Sequence, residues 1–423
     1  MEKISQLLNL PFMSLEERQR YYDDGLRRII KYAYRNAPAV KKKLDSAGVK
    51  PSDIQCRRDL EKIPVTTKGE LIRLQEANPP FGGFLTVPLE RLERIFVSPG
   101  PIYDSFDFKE HAQILAMALA GLGLKKGDRV MNTSSYHLVP AGLNQDAAIR
   151  FLGATVIPTG VGNTELQVKV MRDLKVTGYI GSPSFLNTLI KKAEELGYNF
   201  RRDFCLRYAS IGGEMLPPSL RKSFEEDYGL QVREGYGTAD FGTLSYECEQ
   251  KAGMHMVERR IIEIVDPVTR KQLPQGETGE IVVTTFDRVR PLVRLGTGDL
   301  SYCNEEPCAC GRTSPRLMRI VGRVGEAARI RNMFVYPKQI EQVVAKFPQV
   351  TKFQLVVDQA QQRDIITLKL ELRAGVTATE ELSQDIQKSF PEICTLKVDG
   401  IDFLAPGTIP AGSKIIVDQR TWK

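Results

Sequence analysis

The sequence predicts an α/β fold with two domains. A large N-terminal domain would combine a parallel βαβ sheet with an antiparallel sheet or barrel, and a small, mobile α+β domain would follow it. Three observations predict this arrangement: helical and apolar runs alternate between Lys109 and Ile211, strands and turns replace helices after Asp240, and the last part of the chain alternates strand and helix again. We place the domains at residues 1–322 and 323–423.

The composition excludes several classes of protein. A chain of 423 residues is too long for one ordinary hydrophobic core and indicates more than one domain. Its 42% hydrophobic and 26% charged residues are typical of a soluble globular protein. No apolar run reaches the roughly 18 residues that span a bilayer, and the N-terminus lacks the layout of a signal peptide. We therefore expect no membrane partner and a cytoplasmic location.

The charge pattern favours small anionic ligands. The net charge of +7 is spread thinly along the chain, and no run of Lys and Arg is interleaved with aromatic residues, which argues against nucleic acid as a partner. The densest cluster, Lys41-Lys42-Lys43, is expected to be an exposed helix face. The sequence leaves the oligomeric state open between a monomer and a homodimer.

The first elements are helical, because apolar residues recur at helix spacing over 15–48. Strands that alternate with helices of this length form right-handed βαβ units, so the stretch that follows predicts a parallel sheet. Its helices are predicted at 111–122, 144–152, 164–174 and 184–196, and its strands at 129–133, 154–158, 178–181 and 206–211.

Beyond Asp240 the pattern changes twice. Strands at 260–267 and 279–285 are separated by a turn rich in Pro, Gln and Gly, which predicts an antiparallel sheet or small barrel. The C-terminal domain is predicted to contain helices at 337–346 and 378–389 and strands at 352–358, 364–372 and 395–400.

Three short motifs and one lysine follow one another in the second half of the chain. They are Glu234-Gly235-Tyr236-Gly237-Thr238-Ala239-Asp240, Gly296-Thr297-Gly298-Asp299, Gly322-Arg323 and Lys414. Their order and spacing resemble the adenylate-forming (acyl-CoA synthetase) superfamily, and most closely its short branch, the phenylacetate–CoA ligase family. The resemblance covers nearly the whole chain. It implies that a carboxylate attacks the α-phosphate of ATP, that pyrophosphate leaves an acyl-AMP, and that the thiol of CoA then takes the acyl group.

The resemblance also implies roles for individual residues. Tyr236 would flank the adenine, Asp240 would bind Mg²⁺, Asp299 would accept both ribose hydroxyls, and Lys414 would neutralise charge during adenylation. Two departures accompany the match, since Ala239 lacks a hydroxyl and Asp240 is one methylene shorter than the usual Glu. The full set expected to bind the nucleotide is Gly213, Glu214, Tyr236, Gly237, Thr238, Asp299 and Arg323.

The loop that should surround the ATP phosphates departs most from the family pattern. Glycine-rich loops bind phosphate through free backbone N–H groups and hydroxyls. Here Pro99 and Pro101 each remove an N–H, and Pro101 and Ile102 replace two hydroxyl residues. Asp104 replaces a lysine, and a carboxylate about 4 Å from a phosphate would add a repulsion of about 4 kcal/mol. The sequence therefore predicts that ATP binds weakly and that AMP binds better. It does not decide whether the enzyme uses ATP.

Two features of the predicted hinge between the domains also depart from the family pattern. Gly322–Gly325 should permit a large rotation of the C-terminal domain. Gly325 stands where the family has a charged residue, and Asn332 stands where it has a glycine that lines the thiol tunnel.

A separate group of four residues has the composition of a metal site. Cys248 and His255 are followed some 50 residues later by Cys308 and Cys310, which gives four ligands of the kind that bind tetrahedral Zn²⁺. The Cys-Ala-Cys-Gly-Arg string resembles one found in phenylacetate–CoA ligase relatives, some of which carry a metal there. The alternatives are a structural zinc or reduced thiols on a turn. Four protein ligands would leave no open position for catalysis.

The acyl pocket is the least determined part of the predicted site. Tyr136 and His137 follow a predicted strand, at the end where parallel sheets bind ligands, so they are candidates to line it. A hydrogen-bonded structural histidine is the other interpretation of His137.

The favoured function is ligation of an aromatic or other small organic acid to CoA through an acyl-adenylate, with Mg²⁺ and ATP. Two alternatives stay open because of the altered phosphate loop. One is an ATP-independent acyl or CoA transferase on the same fold, and the other is a non-catalytic binder of a nucleotide or acyl-CoA.

Overall fold

The computed structural model describes residues 9–267, 269–320, 322–324, 328–331, 333–335, 337–360, 363–394, 396–410 and 412–420. The chain divides into two compact units, Met1–Gly322 and Arg323–Lys423. In the described residues, no helix combines the length and apolar character needed to cross a membrane. The predicted α/β class is confirmed.

The N-terminal unit begins with helices that pack on its core. The first of them is capped by Ser14, whose hydroxyl accepts a hydrogen bond from the backbone of Glu17 while the Glu17 carboxylate accepts one from the backbone of Ser14. Leu26 and Ile30 on this helix are fully buried. The three helices are α1 (Leu15–Asn36), α2 (Pro38–Ser46) and α3 (Lys68–Ala77).

A β-hairpin follows, made of β1 (Ile95–Ser98) and β2 (Ile102–Ser105). Its turn contains Pro99 and Pro101, which cannot donate to a strand ladder and therefore stand outside the paired residues.

The main sheet of this unit has nine strands. Five of them, β3 (Arg129–Asn132), β4 (Thr155–Pro158), β5 (Gly178–Gly181), β6 (Tyr208–Ile211) and β7 (Gln231–Thr238), run parallel in the order β4-β3-β5-β6-β7. The sheet continues antiparallel from β7 through β8 (Gly242–Glu247), β9 (Met254–Met256) and β14 (Arg316–Leu317) to β13 (Cys303–Asn304) at its edge.

Helices connect the parallel strands, as the sequence predicts. They are α4 (Phe108–Leu122), α5 (Ala141–Phe151), α6 (Thr164–Asp173), α7 (Pro183–Glu195), α8 (Phe200–Asp203) and α9 (Pro218–Lys222). The carboxyl ends of β3, β5, β6 and β7 lie side by side, which is where parallel sheets bind ligands.

A second, four-stranded sheet carries another part of the predicted site. It contains β10 (Arg260–Val265), β11 (Gly279–Thr285) and β12 (Leu295–Ser301), which pair antiparallel, and β15 (Gly322–Arg323) at its edge. The two strands that the sequence predicts in this region correspond to β10 and β11.

The C-terminal unit is a four-stranded sheet with two main helices. Its hairpin β16 (Ala328–Ile330) and β17 (Met333–Val335) precedes β18 (Val350–Ala360), β19 (Arg363–Leu372), β20 (Gly400–Leu404) and β21 (Ile416–Asp418). The strand order is β20-β19-β18-β21, and the helices are α10 (Pro337–Val344) and α11 (Glu380–Cys394).

One predicted element of this unit is wrong. The strand expected at 395–400 is found instead at Gly400–Leu404, because α11 continues to Cys394. Leu396 and Val398 are buried at alternate positions before the strand begins, and this spacing imitates a strand pattern.

Candidate active site

The predicted nucleotide motifs converge at the carboxyl end of the parallel strands. Tyr236, Gly237 and Thr238 form the last residues of β7, and Gly213 lies in the loop after β6 with a positive φ of 83° that favours glycine. Asp299 comes from the other sheet, on β12. Each residue is thus placed by the end of a strand or by the loop that follows it.

Tyr236 and Asp299 are directly connected. The Tyr236 hydroxyl donates a 2.7 Å hydrogen bond to Oδ2 of Asp299. Asp299 is 5% exposed, and its backbone N–H donates to the hydroxyl of Thr297 at 3.0 Å. The motif that contains Tyr236 and the motif that contains Asp299 lie far apart in the sequence. The structure brings them together at one buried carboxylate.

Asp240 lies at the same end of the sheet but has a partner that the sequence did not indicate. Nζ of Lys68 lies 2.8 Å from Oδ2 of Asp240, whose side chain is fully buried. Oδ1 of Asp240 has no hydrogen-bond partner in the described part of the chain. Burial acts to raise the pKa of Asp240, but the charge and the hydrogen bond of Lys68, together with the charge of Arg290, outweigh this effect, and the pKa of Asp240 is lowered. Asp240 is therefore an ionised carboxylate with one oxygen unused.

Lys68 is a functional candidate that sequence reasoning missed. It is the first residue of α3, and Thr67 caps this helix by accepting a hydrogen bond from the backbone of Glu70. The Thr-Lys-Gly-Glu string is a capping box, so the start of a helix at Lys68 could have been found. Nothing local to that string indicates a carboxylate 172 residues further along the chain.

The phosphate-loop segment is the hairpin β1–β2, and it corrects one expectation. The Asp104 carboxylate is fully buried and does not act as a free charge beside a phosphate. It lies 2.8 Å from Nη2 of Arg290 and accepts a 2.9 Å hydrogen bond from the hydroxyl of Ser98. The prediction that Asp104 repels a phosphate assumed an unpaired carboxylate. That assumption is wrong, because Arg290 neutralises the Asp104 carboxylate.

Glu214 and the acyl-pocket candidate Tyr136 have hydrogen-bond partners among the described residues. Oε1 of Glu214 accepts a 2.6 Å hydrogen bond from the hydroxyl of Ser184. The hydroxyl of Tyr136 accepts a 2.9 Å hydrogen bond from Nδ2 of Asn132, and His137 is exposed. Their suggested roles stay predictions.

The remaining predicted site residues belong to the C-terminal unit. Arg323 is half-buried and Lys414 is exposed, two residues before β21. The backbone carbonyl of Lys414 accepts a 3.0 Å hydrogen bond from the side chain of Gln354, so its backbone is held to β18. Gly325 and Asn332 lie outside the described residues.

The four predicted metal ligands come together in the N-terminal unit. Their ligand atoms all lie within 4.8 Å of one another. Sγ of Cys248 is 3.8 Å from Sγ of Cys308, and Sγ of Cys310 is 3.3 Å from Nε2 of His255. Around a zinc with Zn–S bonds of about 2.3 Å, tetrahedral sulfur atoms lie about 3.8 Å apart. The spacing of the two sulfurs thus fits a tetrahedral metal.

The imidazole of His255 is prepared for binding a metal. Its Nδ1 lies 3.1 Å from the carbonyl oxygen of Ser314, which holds the hydrogen on Nδ1 and leaves Nε2 free to face the thiols. Burial lowers the pKa of His255 to about 4, so the ring is neutral at physiological pH. All seven cysteines are free thiols in this structure.

Comparison with known proteins gives a consistent set of matches. Residues 111–286 match the AMP-binding enzyme family, and residues 332–420 match the AMP-binding enzyme C-terminal domain. The chain is 33% identical over 370 residues to phenylacetate-coenzyme A ligase of Thermus thermophilus, covering 84% of this chain and 82% of the relative. It is 32% identical to the Escherichia coli enzyme of the same name, covering 87% and 86%.

A solved structure extends this similarity over almost the whole fold. It is 2-hydroxyisobutyryl-CoA ligase in complex with 2-HIB-AMP and CoA in the thioesterification state. The TM-score is 0.87 at 25% sequence identity, and the match covers 97% of this chain and 92% of that one.

Proposed function

Because the chain belongs to the phenylacetate–CoA ligase family of adenylate-forming enzymes, we propose that its acid substrate is a small aryl acid of the phenylacetate type. The chain is an ATP-dependent, AMP-forming acyl-CoA ligase that works through an acyl-adenylate. The observation that carries the substrate proposal is the identity of 33% to a phenylacetate-coenzyme A ligase over most of both chains. An ATP-independent transferase is not favoured by these relatives.

We assign recognition of the adenosine part to the group around Asp299. The Asp299 side chain is buried, and a carboxylate can accept a hydrogen bond on each of its two oxygens, so it suits the two ribose hydroxyls. The hydrogen bond from Tyr236 fixes the orientation of the carboxylate and places the phenol ring at the end of β7. The roles predicted for Arg323 and Lys414, which belong to the C-terminal unit, stay predictions.

Magnesium would be held by Asp240. The residues fit a hard cation, because Oδ1 of Asp240 is a buried carboxylate oxygen without a hydrogen-bond partner among the described residues. Bound Mg²⁺ would neutralise phosphate charge during adenylation. The carboxylate lies just after the end of β7 and next to the hydroxyl of Thr238, so it would hold that charge beside the motif proposed to bind the nucleotide.

Zinc would be held by Cys248, His255, Cys308 and Cys310. The donor set and the 3.8 Å spacing of two of its sulfurs fit a closed tetrahedral site, which supplies folding energy and no catalytic water. The site connects β9, which carries His255, to the segment between β13 and β14 that carries Cys308 and Cys310. A metal there would tie this edge of the nine-stranded sheet together.

A substrate panel tests the aryl proposal. Pyrophosphate release and acyl-CoA formation should be measured with phenylacetate, benzoate, a short fatty acid and 2-hydroxyisobutyrate, each with ATP and CoA. We expect the highest kcat/KM with an aryl acid. A preference for 2-hydroxyisobutyrate, which the structural similarity suggests as the second candidate, would overturn the aryl assignment and keep the ligase chemistry.

A second readout separates substrate choice from the reaction class. Omission of CoA should leave acyl-AMP bound to the enzyme and stop the cycle after one release of pyrophosphate. Formation of acyl-CoA without ATP, from an acid or from another acyl-CoA, would contradict the ligase mechanism itself.

A further inference from the structure

Lys68 and Asp240 form an ion pair in which the carboxylate is buried and the lysine side chain is partly exposed to solvent. Their charged atoms are 2.8 Å apart, the side chain of Asp240 is fully buried, and the side chain of Lys68 is 35% exposed. Oδ2 of Asp240 faces the ammonium, and Oδ1 has no hydrogen-bond partner among the described residues. The pair is therefore accessible from the lysine side, and the carboxylate has an oxygen to spare.

The backbone that carries Lys68 is joined to the strand that carries Asp299. The N–H of Thr66 donates to the carbonyl of Arg294 at 2.8 Å, and the N–H of Gly296 donates to the carbonyl of Thr66 at 2.9 Å. Lys43 reinforces this connection, because its ammonium donates to the Thr66 hydroxyl at 2.7 Å. The backbone just before α3 is thus held to the start of β12.

Arg290, the other cation near Asp240, is less able than Lys68 to reach a bound ligand. Arg290 is 2% exposed and is already paired with Asp104, and its Nη2 also donates to the carbonyl of Asp240 at 3.3 Å. The hairpin turn contributes Pro99 and Pro101 and no cation. Of these two cations, Lys68 has the more accessible side chain, since it is 35% exposed and Arg290 is 2% exposed.

We propose that the Lys68 ammonium is the counter-charge of Asp240 until nucleotide binds, and that Lys68 would turn towards the triphosphate once Asp240 holds a divalent cation. The proposal rests on the proposed ATP-dependent function and adds a residue to it. A buried carboxylate needs a counter-charge at all times. Because the ammonium lies on Oδ2, a cation on Oδ1 of the same carboxylate would lie close to a second positive charge, and the two would repel each other. The flexible four-carbon stem of lysine allows the ammonium to turn without moving the backbone.

The displaced ammonium would supply what the hairpin lacks. The hairpin turn carries no cation, and Asp104 on β2 is already paired with Arg290. Lys68 therefore contributes the missing positive charge from the start of α3. One side chain would then keep Asp240 neutralised in the empty enzyme and neutralise phosphate in the loaded one.

Metal binding without nucleotide tests the competition directly. The full chain should be titrated with Mn²⁺, observed by electron paramagnetic resonance, as wild type, Lys68→Met, Lys68→Gln and Asp240→Asn. We expect both Lys68 variants to bind Mn²⁺ about tenfold or more tightly than wild type, and Asp240→Asn to lose this binding. Unchanged, weaker or undetectable binding in the Lys68 variants would overturn the proposal and leave a plain structural ion pair.

Lys62→Met is the matched control. Lys62 pairs with Asp59 at 2.7 Å on the surface, so its loss removes a lysine and an ion pair away from the site. This variant should bind Mn²⁺ like wild type. Circular dichroism of every variant establishes that it is folded, and Lys68→Gln keeps a polar side chain of nearly the same length if Lys68→Met does not fold.

Nucleotide binding tests the second half of the proposal. Lys68→Met should weaken Mg²⁺–ATP binding about tenfold and leave AMP binding within about twofold, because AMP lacks the β- and γ-phosphates. Equal losses for ATP and AMP, or none for ATP, would overturn the role in phosphate binding. Failure of wild type to form acyl-CoA would contradict the proposed function, while the Mn²⁺ titration would still decide the competition at Asp240.

Discussion

The carboxylate of Asp104 and the guanidinium of Arg290 lie 2.8 Å apart, and both side chains are almost completely buried. Asp104 stands on β2, and Arg290 stands in the segment between β11 and β12. Burial raises the pKa of Asp104 to about 6, although the charge of Arg290 opposes this shift. The altered phosphate loop is thus a hairpin attached to the rest of the unit by an internal ion pair.

Replacing Asp104 with lysine should destabilise the protein and should not repair ATP binding. Asp104→Lys would bury two cations against each other, and breaking a buried ion pair in this way costs about 3–5 kcal/mol. The free energy of unfolding, measured by urea denaturation, should fall by that amount. Asp173→Lys is the control, because Asp173 pairs with Lys169 on the surface. A stable Asp104→Lys with tighter ATP binding would contradict the observed burial.

Removing the Asp299 carboxylate should abolish most nucleotide affinity. Hydrogen bonds to a charged acceptor contribute about 1.5–3 kcal/mol each, so Asp299→Ala should weaken AMP binding by about tenfold to a hundredfold or more. Tyr236→Phe keeps the ring and loses only the 2.7 Å hydrogen bond, so its effect should be smaller. Calorimetric titration with AMP measures both. Unchanged AMP affinity in a folded Asp299→Ala would show that the ribose binds elsewhere.

Protein purified without chelator should contain about one zinc per chain. Cys308→Ser should release the metal and lower Tm, because ligand binding supplies folding energy at a closed site. Cys205→Ser is the matched control, since Cys205 is exposed and lies outside the cluster. Metal analysis by mass spectrometry and thermal unfolding check both statements. Absence of zinc from wild type would leave the four residues as reduced thiols and an imidazole.

Glu234 should make stability depend on pH. Burial and the neighbouring Glu247 carboxylate raise the pKa of Glu234 from 4.5 to about 7, and Arg221, 3.6 Å away, opposes this less strongly. The folded protein therefore binds more protons than the unfolded chain between these values. The stability contributed by protonated Glu234 is complete below about pH 4.5 and is lost as the pH rises through about 7.

Unfolding of wild type and Glu234→Gln at pH 5 and pH 8 measures this effect. Between the two pH values, the stability of wild type relative to Glu234→Gln should fall by about 1–3 kcal/mol. Glu226→Gln should show no such change, because the Glu226 side chain is 65% exposed. A constant difference between wild type and Glu234→Gln would show that Glu234 titrates normally in the folded protein.

The order of helices and strands was determined by the sequence because its signals are local. Helix spacing over 15–48 and the four helix–strand pairs depend on which residues lie three or four positions apart, and the structure has each of these elements within a few residues. The same approach failed at 395–400, where Leu396 and Val398 alternate in a segment that is buried without being a strand. The alternation of Leu396 and Val398 indicates only that these side chains are buried. Whether the segment is a strand depends on the pairing of its backbone with a neighbouring strand, and that pairing begins at Gly400.

The motif residues were found in the sequence because the chemistry of a nucleotide site needs particular residue types in a particular order. Tyr236, Asp240 and Asp299 could be chosen in this way. Which partner each one has was decided by the tertiary structure, since the Tyr236–Asp299 hydrogen bond crosses from one sheet to the other. The four candidate metal ligands could likewise be grouped by residue type, while their closeness depends on how β9 and β14 pair.

Charge is where the sequence was least informative about this protein. Lys43 lies in a run of three lysines that was expected to be exposed, yet its ammonium donates to Thr66 inside the unit. Asp104 was expected to repel phosphate, and Arg290 neutralises it. The effect of a charge depends on the distance to its counter-charge and on the water between them. Both quantities are set by contacts between residues that are distant in sequence, so only the folded chain determines them.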